Sequence, residues 1–270
     1  MLHHGPNHKH LVLTPCAGLG NRMLAILSAL RYIELGCYKT LTICWVKHGH
    51  CPIDLSEIAD ILVDHDIMDS FVAGSTPQFQ LVKGYKYDKI MASNIWNSQD
   101  DILESWIPWA RQCKLIKWKL PEPICQPDVG IHCRRSDWGV CDFQRQLHSD
   151  SYALHSQLDQ TYYDEIADNI KGKAFISSDS YETIEYFKSK RPDIISQNKS
   201  QYSNNSERSL VMMREALIDL ATLAKCRVIY RDSSSTFSLL ASIIGRNRLI
   251  TWRRPYLDQS GTGYLGQFTI

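Results

Sequence analysis

One apolar run in this chain ends in two arginines and an aspartate: Gly130-Ile131-His132-Cys133-Arg134-Arg135-Ser136-Asp137. A guanidinium offers a planar fork of N–H donors, and that fork matches a diphosphate through parallel charge-assisted hydrogen bonds. If the apolar run is a strand, its charged end lies at the carboxyl edge of a sheet, where open α/β folds bind ligands. One of Arg134 and Arg135 then takes a diphosphate while Asp137 anchors the other. The competing reading of the same residues is a surface salt bridge at a strand end.

Three further segments carry polar chemistry at strand-to-helix handovers. Arg231-Asp232-Ser233-Ser234-Ser235-Thr236-Phe237-Ser238 is a hydroxyl-rich turn before an apolar helix. Hydroxyls and free N–H groups at a helix start suit phosphate oxygens, although a single serine there also serves as a plain N-cap. In Ile176-Ser177-Ser178-Asp179-Ser180, Asp179 either accepts hydrogen bonds from a base or ribose hydroxyl or caps the next helix. Gly18-Leu19-Gly20-Asn21-Arg22 allows close backbone approach at a helix N-terminus, and equally makes an ordinary tight turn.

The elements that must position these segments follow from periodicity. Leu11–Leu13 reads as a short buried strand, and Met23, Leu24, Ile26, Leu27, Leu30, Ile33 and Leu35 recur at helical spacing up to Gly36. Leu41–Val46 is a second strand, so the chain opens as a Rossmann-like unit. The stretch from Cys51 to Trp118 is less regular, with a helix expected over Leu55–Leu62, a strand over Lys89–Ala92 and an aromatic-rich segment Trp106–Trp118. Pro121-Glu122-Pro123, with Pro127, marks a linker and hence a boundary between lobes 1–120 and 121–270. Beyond it, strands are expected at Val129–Cys133, Ala174–Ile176, Val228–Tyr230 and Arg248–Thr251. They alternate with helices at Tyr152–Ile170, Tyr181–Lys190, Leu210–Lys225 and Phe237–Ile244, while Ser200–Ser209 is a polar loop. Such alternation implies α/β lobes built on mostly parallel sheets.

Bulk properties exclude several functions. The chain has 270 residues, and 30 Lys+Arg against 29 Asp+Glu leave no global field to draw it onto nucleic acid or an anionic membrane. Nine dispersed cysteines include no C-x-x-C pair, and Cys44 and Cys133 sit in apolar runs, which points to reduced thiols. With no secretory-type N-terminus and no apolar stretch of roughly 20 residues, a soluble cytoplasmic protein without a membrane span is expected. The histidines, including His48, His50, His65 and His148, form no H-E-x-x-H spacing, so no metal and no cofactor is expected.

In their order and spacing, Gly18–Arg22 with its helix, the His132-Cys133-Arg134-Arg135-Ser136-Asp137 block, and Ser234–Ser238 preceded by the Asp219-containing helix resemble the α1,6-fucosyltransferase and protein O-fucosyltransferase superfamily, including nodulation-factor fucosyltransferases. The three blocks span most of the chain, and the His-x-Arg-Arg-x-Asp block is the most specific. The resemblance implies a GT-B fold of two facing Rossmann-like lobes, the donor on the C-terminal lobe and a glycan acceptor on the N-terminal one. It implies an inverting transfer from GDP-fucose, the donor substrate. Arg134 is matched to the arginine that contacts the diphosphate, with Arg135 beside it and His132 near the nucleotide. Asp137, Asp179, Asp219, Ser234, Ser235, Thr236, Phe237 and Ser238 are matched to the remaining donor side, and Gly18, Gly20, Asn21 and Arg22 close it from the other lobe.

A GDP leaving group needs its developing charge stabilised, a task for Arg134 and backbone N–H groups where no metal acts. The acceptor hydroxyl needs a base, and in the α1,6 branch a carboxylate follows the signature aspartate by five positions, here Asp142. That branch also carries a lysine directly after the aspartate where this chain has Trp138, which puts the base relay and the linkage in question. An α1,2-fucosyltransferase-like enzyme, whose turn usually has Gln in place of Arg22, a transferase of another GDP- or UDP-sugar, and a non-catalytic glycan- or nucleotide-binding module are the competing readings. A dinucleotide oxidoreductase is disfavoured because the Gly18 turn lacks the third glycine of G-x-G-x-x-G. Trp96, Trp106 and Trp109 either stack on acceptor sugars or belong to the core.

Overall fold

A computed structural model of the chain describes residues 10–13, 15, 18–47, 49, 51–68, 100–133, 163–200, 208–232, 235–252 and 267–269. The chain divides into two compact units, Met1–Leu120 and Pro121–Ile270.

The first unit opens with β1 (His10–Leu13), α1 (Leu19–Glu34) and β2 (Thr40–Cys44). From Leu19 to Leu30, Asn21 apart, α1 is buried on every side, with Leu19, Met23, Leu24, Ile26, Leu27 and Leu30 its largest apolar side chains there. The helix stops where Gly36 takes φ +73°, a left-handed conformation that glycine adopts without a Cβ penalty. A 3₁₀ turn at Leu55–Glu57, β3 (Ala59–Ile61), β4 (His65–Met68), α2 (Asp100–Gln112) and β5 (Ile116–Trp118) follow. β1, β2 and β4 form a parallel sheet in the order β1-β2-β4, and β3 pairs antiparallel with β5.

The helix expected over Leu55–Leu62 is therefore corrected to one 3₁₀ turn and a strand. Ala59-Asp60-Ile61 alternates inward and outward, and this period of two pairs with Ile116-Lys117-Trp118, a partner too distant in sequence to be seen locally. The strand expected over Lys89–Ala92 lies outside the described residues.

The second unit holds β6 (Val129–Cys133), α3 (163–169), β7 (Ala174–Ser178), α4 (Tyr181–Lys190) and β8 (Ile195–Ser196). It continues with α5 (Leu210–Leu223), β9 (Val228–Asp232), α6 (Thr236–Gly245), β10 (Arg248–Trp252) and β11 (Gln267–Thr269). The strand order is β11-β10-β9-β6-β7-β8, parallel throughout except for β11. Counted from β6, this is the doubly wound order of a Rossmann sheet. The direction of winding reverses between β6 and β9, and such a reversal opens a crevice at the carboxyl ends of the two strands.

Every residue of β6 is buried, as a central strand covered on both faces must be. Val129, Ile131 and Cys133 share a core with Tyr163, Ile166 and Ala167 of α3 and with Ile184 and Phe187 of α4. On the alternate positions, Gly130 admits α5: a Cβ there would come within 2.8 Å of Leu223 and 2.9 Å of Cys226. Each large apolar side chain removed from water in this way contributes about 1.5–3 kcal/mol. The described cysteines are free thiols, and burial pushes that of Cys226 up to about 12, so it serves as packing.

Candidate functional site

The register across the second sheet sets one polar row just inside its carboxyl edge. Ser177 of β7 is paired with His132 of β6, His132 with Arg231 of β9, and Arg231 with Thr251 of β10. The β6–β9 reversal thus falls on His132 and Arg231. His132 is 6 % exposed, and its ring stacks on Phe237 in the first turn of α6, centroids 5.2 Å apart and planes inclined by 30°. Arg231 is also buried, and its Nη1 donates to the carbonyl of Ser235, the N-cap of α6, at 3.1 Å.

Ser235 is the N-cap of α6, yet its side chain makes no cap bond. It is 2 % exposed, and its Oγ has no hydrogen-bond partner among the described residues. The first turn of α6 contains no acidic residue. A buried cation, the positive end of a helix and an enclosed hydroxyl therefore meet at the reversal, a combination suited to an anion. Thr236 is buried beside them, whereas Ser238 turns back and donates to the Ser235 carbonyl at 3.3 Å, an intrahelical bond.

At β7 the structure removes the capping reading of Asp179. The next helix is capped by Ser180, whose Oγ accepts from Thr183 N at 3.2 Å, so Asp179 is not the cap. Asp219 of α5 is 2 % exposed, and its carboxylate accepts from Ser177 Oγ at 2.7 Å and pairs with Lys199 Nζ at 2.7 Å. Gln197, with its amide oriented to suit its neighbours, donates to Asp219 Oδ1 at 2.7 Å and to the Glu215 carbonyl at 2.9 Å. Burial pushes the Asp219 carboxyl up, while the Lys199 ammonium and the Ser177 hydroxyl pull it down. Asp219 thereby ties α5 to the end of β7.

In the first unit Gly18 is the N-cap of α1 and provides no side-chain cap; Gly20 is buried and Asn21 half-buried. Asn21 Oδ1 is enclosed without a partner among the described residues. Arg22 is fully buried: its guanidinium lies 4.9 Å from the Trp45 ring centroid and donates to the Val46 carbonyl at 2.8 Å. This ties the start of α1 to the end of β2. Trp109 bonds Glu34 through Nε1 and has Arg31 5.1 Å over its ring. Trp106 Nε1 is buried without a partner among the described residues.

Arg134, Arg135, Asp137, Asp142, Trp96 and Ser234 lie outside the described residues. Of the rest, the structure gathers His132, Ser235, Thr236 and Phe237 at the β6–β9 reversal and sets Asp179 and Asp219 one strand away at β7. Three participants went unselected in the sequence. Arg231 had a signal, a cation ending an apolar strand, but Ser177 and Lys199 had none that periodicity can read.

No family model matches the chain, and no curated protein matches it. Solved structures do. A crystal of NodZ α-1,6-fucosyltransferase soaked with GDP-fucose is similar with a TM-score of 0.52 at 16 % identity, covering 97 % of this chain and 99 % of that one. Fucosyltransferase NodZ from Bradyrhizobium gives 0.52 at 17 %, with 97 % and 99 % covered. A mutant of Arabidopsis thaliana FUT1 in complex with GDP gives 0.54 at 14 %, covering 97 % of this chain and 74 % of that one. The fold is the GT-B fold. At such identities the likeness establishes architecture, and the chemistry must be argued from residues. Among the described residues no group of His, Cys, Asp or Glu side chains is placed to hold a metal, and no helix is long and apolar enough to cross a membrane.

Proposed function

We propose that the chain is an inverting glycosyltransferase that moves fucose from GDP-fucose to a glycan hydroxyl without a metal ion. The observation that carries this reading is the start of α6, where Ser235 Oγ makes no cap bond and is buried without a partner among the described residues, beside the buried Arg231 at the winding reversal of the sheet. A fold shared over nearly the whole chain with fucosyltransferases studied with GDP or GDP-fucose supports the choice of donor.

In this reading the diphosphate sits on the α6 N-terminus, and Arg134 neutralises the charge that grows on the β-phosphate as the C1–O bond breaks. The acceptor oxygen attacks C1 from the opposite face and forms the new glycosidic bond; GDP leaves, and the hydroxyl proton passes to Asp142. His132, on its stack with Phe237, is assigned to the nucleotide, Asp137 is assigned to anchor Arg135, and Ser234 is assigned to the donor with the other hydroxyls of its segment. Asp179 takes a base or ribose hydroxyl. The unit Pro121–Ile270 is the donor side and Met1–Leu120 the acceptor side, and within the latter Arg22 holds the Gly18-Gly20-Asn21 turn in place.

A thermal-shift and calorimetric screen of GDP, GDP-fucose, GDP-mannose, UDP and NAD in EDTA tests this, because a ligand that binds only the native state raises its apparent stability. Stabilisation by GDP and GDP-fucose alone is the expected result. A response confined to UDP or NAD rejects the guanine donor, and GDP binding with no GDP released from GDP-fucose under any acceptor favours the binding module.

A further inference from the structure

Behind the carboxyl end of β7 lies a buried charge cluster that the proposed reaction has not used. Lys199, from the loop after β8, has only 12 % of its side chain exposed; it donates to the Ser178 carbonyl at 2.6 Å and pairs with Asp219 at 2.7 Å. Ser177 and Gln197 complete the shell around Asp219, and Ser200 N donates to Glu215 Oε1 at 2.8 Å one turn earlier on α5. Removing a lysine and an aspartate from water is costly, and a buried ion pair is commonly no more stabilising than apolar residues of the same volume. The cluster is therefore poorly explained by stability alone. Its geometry has a specific output: the Ser178 carbonyl belongs to the peptide that joins Ser178 to Asp179. A short charge-assisted bond to that carbonyl fixes the orientation from which the Asp179 side chain departs.

We propose that Lys199 is a positioning residue for the nucleoside end of the donor, acting through the Ser178–Asp179 peptide and held in place by Asp219. This rests on the donor reading above. A second feature of the sheet makes the action separable. The Asp179 loop follows β7, whereas the anion seat at Ser235 follows β9, and β6 lies between them. Loss of Lys199 should therefore loosen the hold on base or ribose and leave the hold on diphosphate intact.

The experiment measures the affinity of the full chain for GDP and for inorganic pyrophosphate by calorimetry, in wild type, Lys199→Met, Asp179→Ala and the double variant. Lys199→Met is expected to weaken GDP about tenfold and to change pyrophosphate less than twofold. In the Asp179→Ala background the same substitution should change GDP affinity less than twofold, since two residues acting on one contact are not additive. Lys199→Met with Asp219→Asn, which removes both buried charges, serves where the single variant fails to fold and should show the same selective loss. Equal losses for GDP and pyrophosphate, additivity with Asp179→Ala, or no change in GDP affinity overturns the positioning role while leaving the donor assignment standing. A wild-type chain that binds pyrophosphate but ignores GDP overturns the donor reading and this inference with it.

Discussion

Two strand-to-helix turns in the second unit begin with a serine N-cap and use it in opposite ways. At α4, Ser180 Oγ accepts from Thr183 N and donates to Glu182 Oε2 at 2.8 Å, and Glu182 places a carboxylate in the first turn. The cap and the acid satisfy the helix start from within. At α6, Ser235 makes no cap bond, the first turn lacks an acid, and Arg231 adds a buried positive charge. Among the described residues the Ser235 hydroxyl is left without a partner, and a buried hydroxyl left so costs about 1–3 kcal/mol. The difference teaches that residue type at a cap position does not define a ligand site; what defines it is whether the fold leaves the hydroxyl and helix dipole unanswered.

The largest effect that could break this contrast belongs to Arg134. Alanine there is expected to lower GDP release from GDP-fucose by about a thousandfold or more, the scale of losing a principal charge stabiliser, with the circular dichroism spectrum unchanged. Near-normal turnover would mean that the α6 turn manages the leaving group without it. Ser235→Ala and Ser180→Ala sharpen the contrast directly. Ser235→Ala should weaken GDP about tenfold and leave Tm level or raised, because an unsatisfied hydroxyl is removed. Ser180→Ala should lower Tm by about 3 °C, from a cap worth about 1 kcal/mol, and leave GDP affinity unchanged. The reverse pattern in calorimetry and thermal melts would show that α6 is the self-contained helix and α4 the open one.

The second unit was legible because its elements are local. Val129–Cys133 and Tyr181–Lys190 have the bounds that apolar run and helical period predict, and Ala174–Ser178 and Val228–Asp232 merely extend past the apolar residues into polar ones. β8 and β11 went unread because two- and three-residue strands are defined by their partners rather than by a pattern of their own. The same holds for β3 and β5 in the first unit. For the site, chemistry placed at strand ends was visible, including His132 and the hydroxyl turn. Burial was not: nothing in the composition of Gln197-Asn198-Lys199-Ser200 announces that the lysine turns inward to Asp219, and nothing around Asn21-Arg22 announces that the arginine packs over Trp45.

The smallest expected effect lies at the opposite end of α4, where the contrast predicts stability without function. Tyr186 Oη donates to Asp164 Oδ1 at 2.6 Å, and Lys190, in the last turn of α4, pairs with the same oxygen at 2.7 Å. Hydrogen bonds from Lys190 first and Tyr186 second hold the Asp164 carboxyl below the usual carboxylate range. A carboxyl with a depressed folded value contributes stability above its unfolded value, near 3.9, and loses that contribution as pH falls through the folded value. Asp164→Asn should therefore lower Tm at pH 7 by no more than about 2 °C, as befits a surface pair. Melts of both proteins between pH 7 and pH 3 should show a gap that is constant down to roughly pH 4 and then closes. GDP affinity should not change, since the α4 end is satisfied by its own neighbours. A gap that widens in acid would reverse the sign of the Asp164 contribution, and a loss of GDP affinity would mean that α4 is coupled to the open turn of α6 after all.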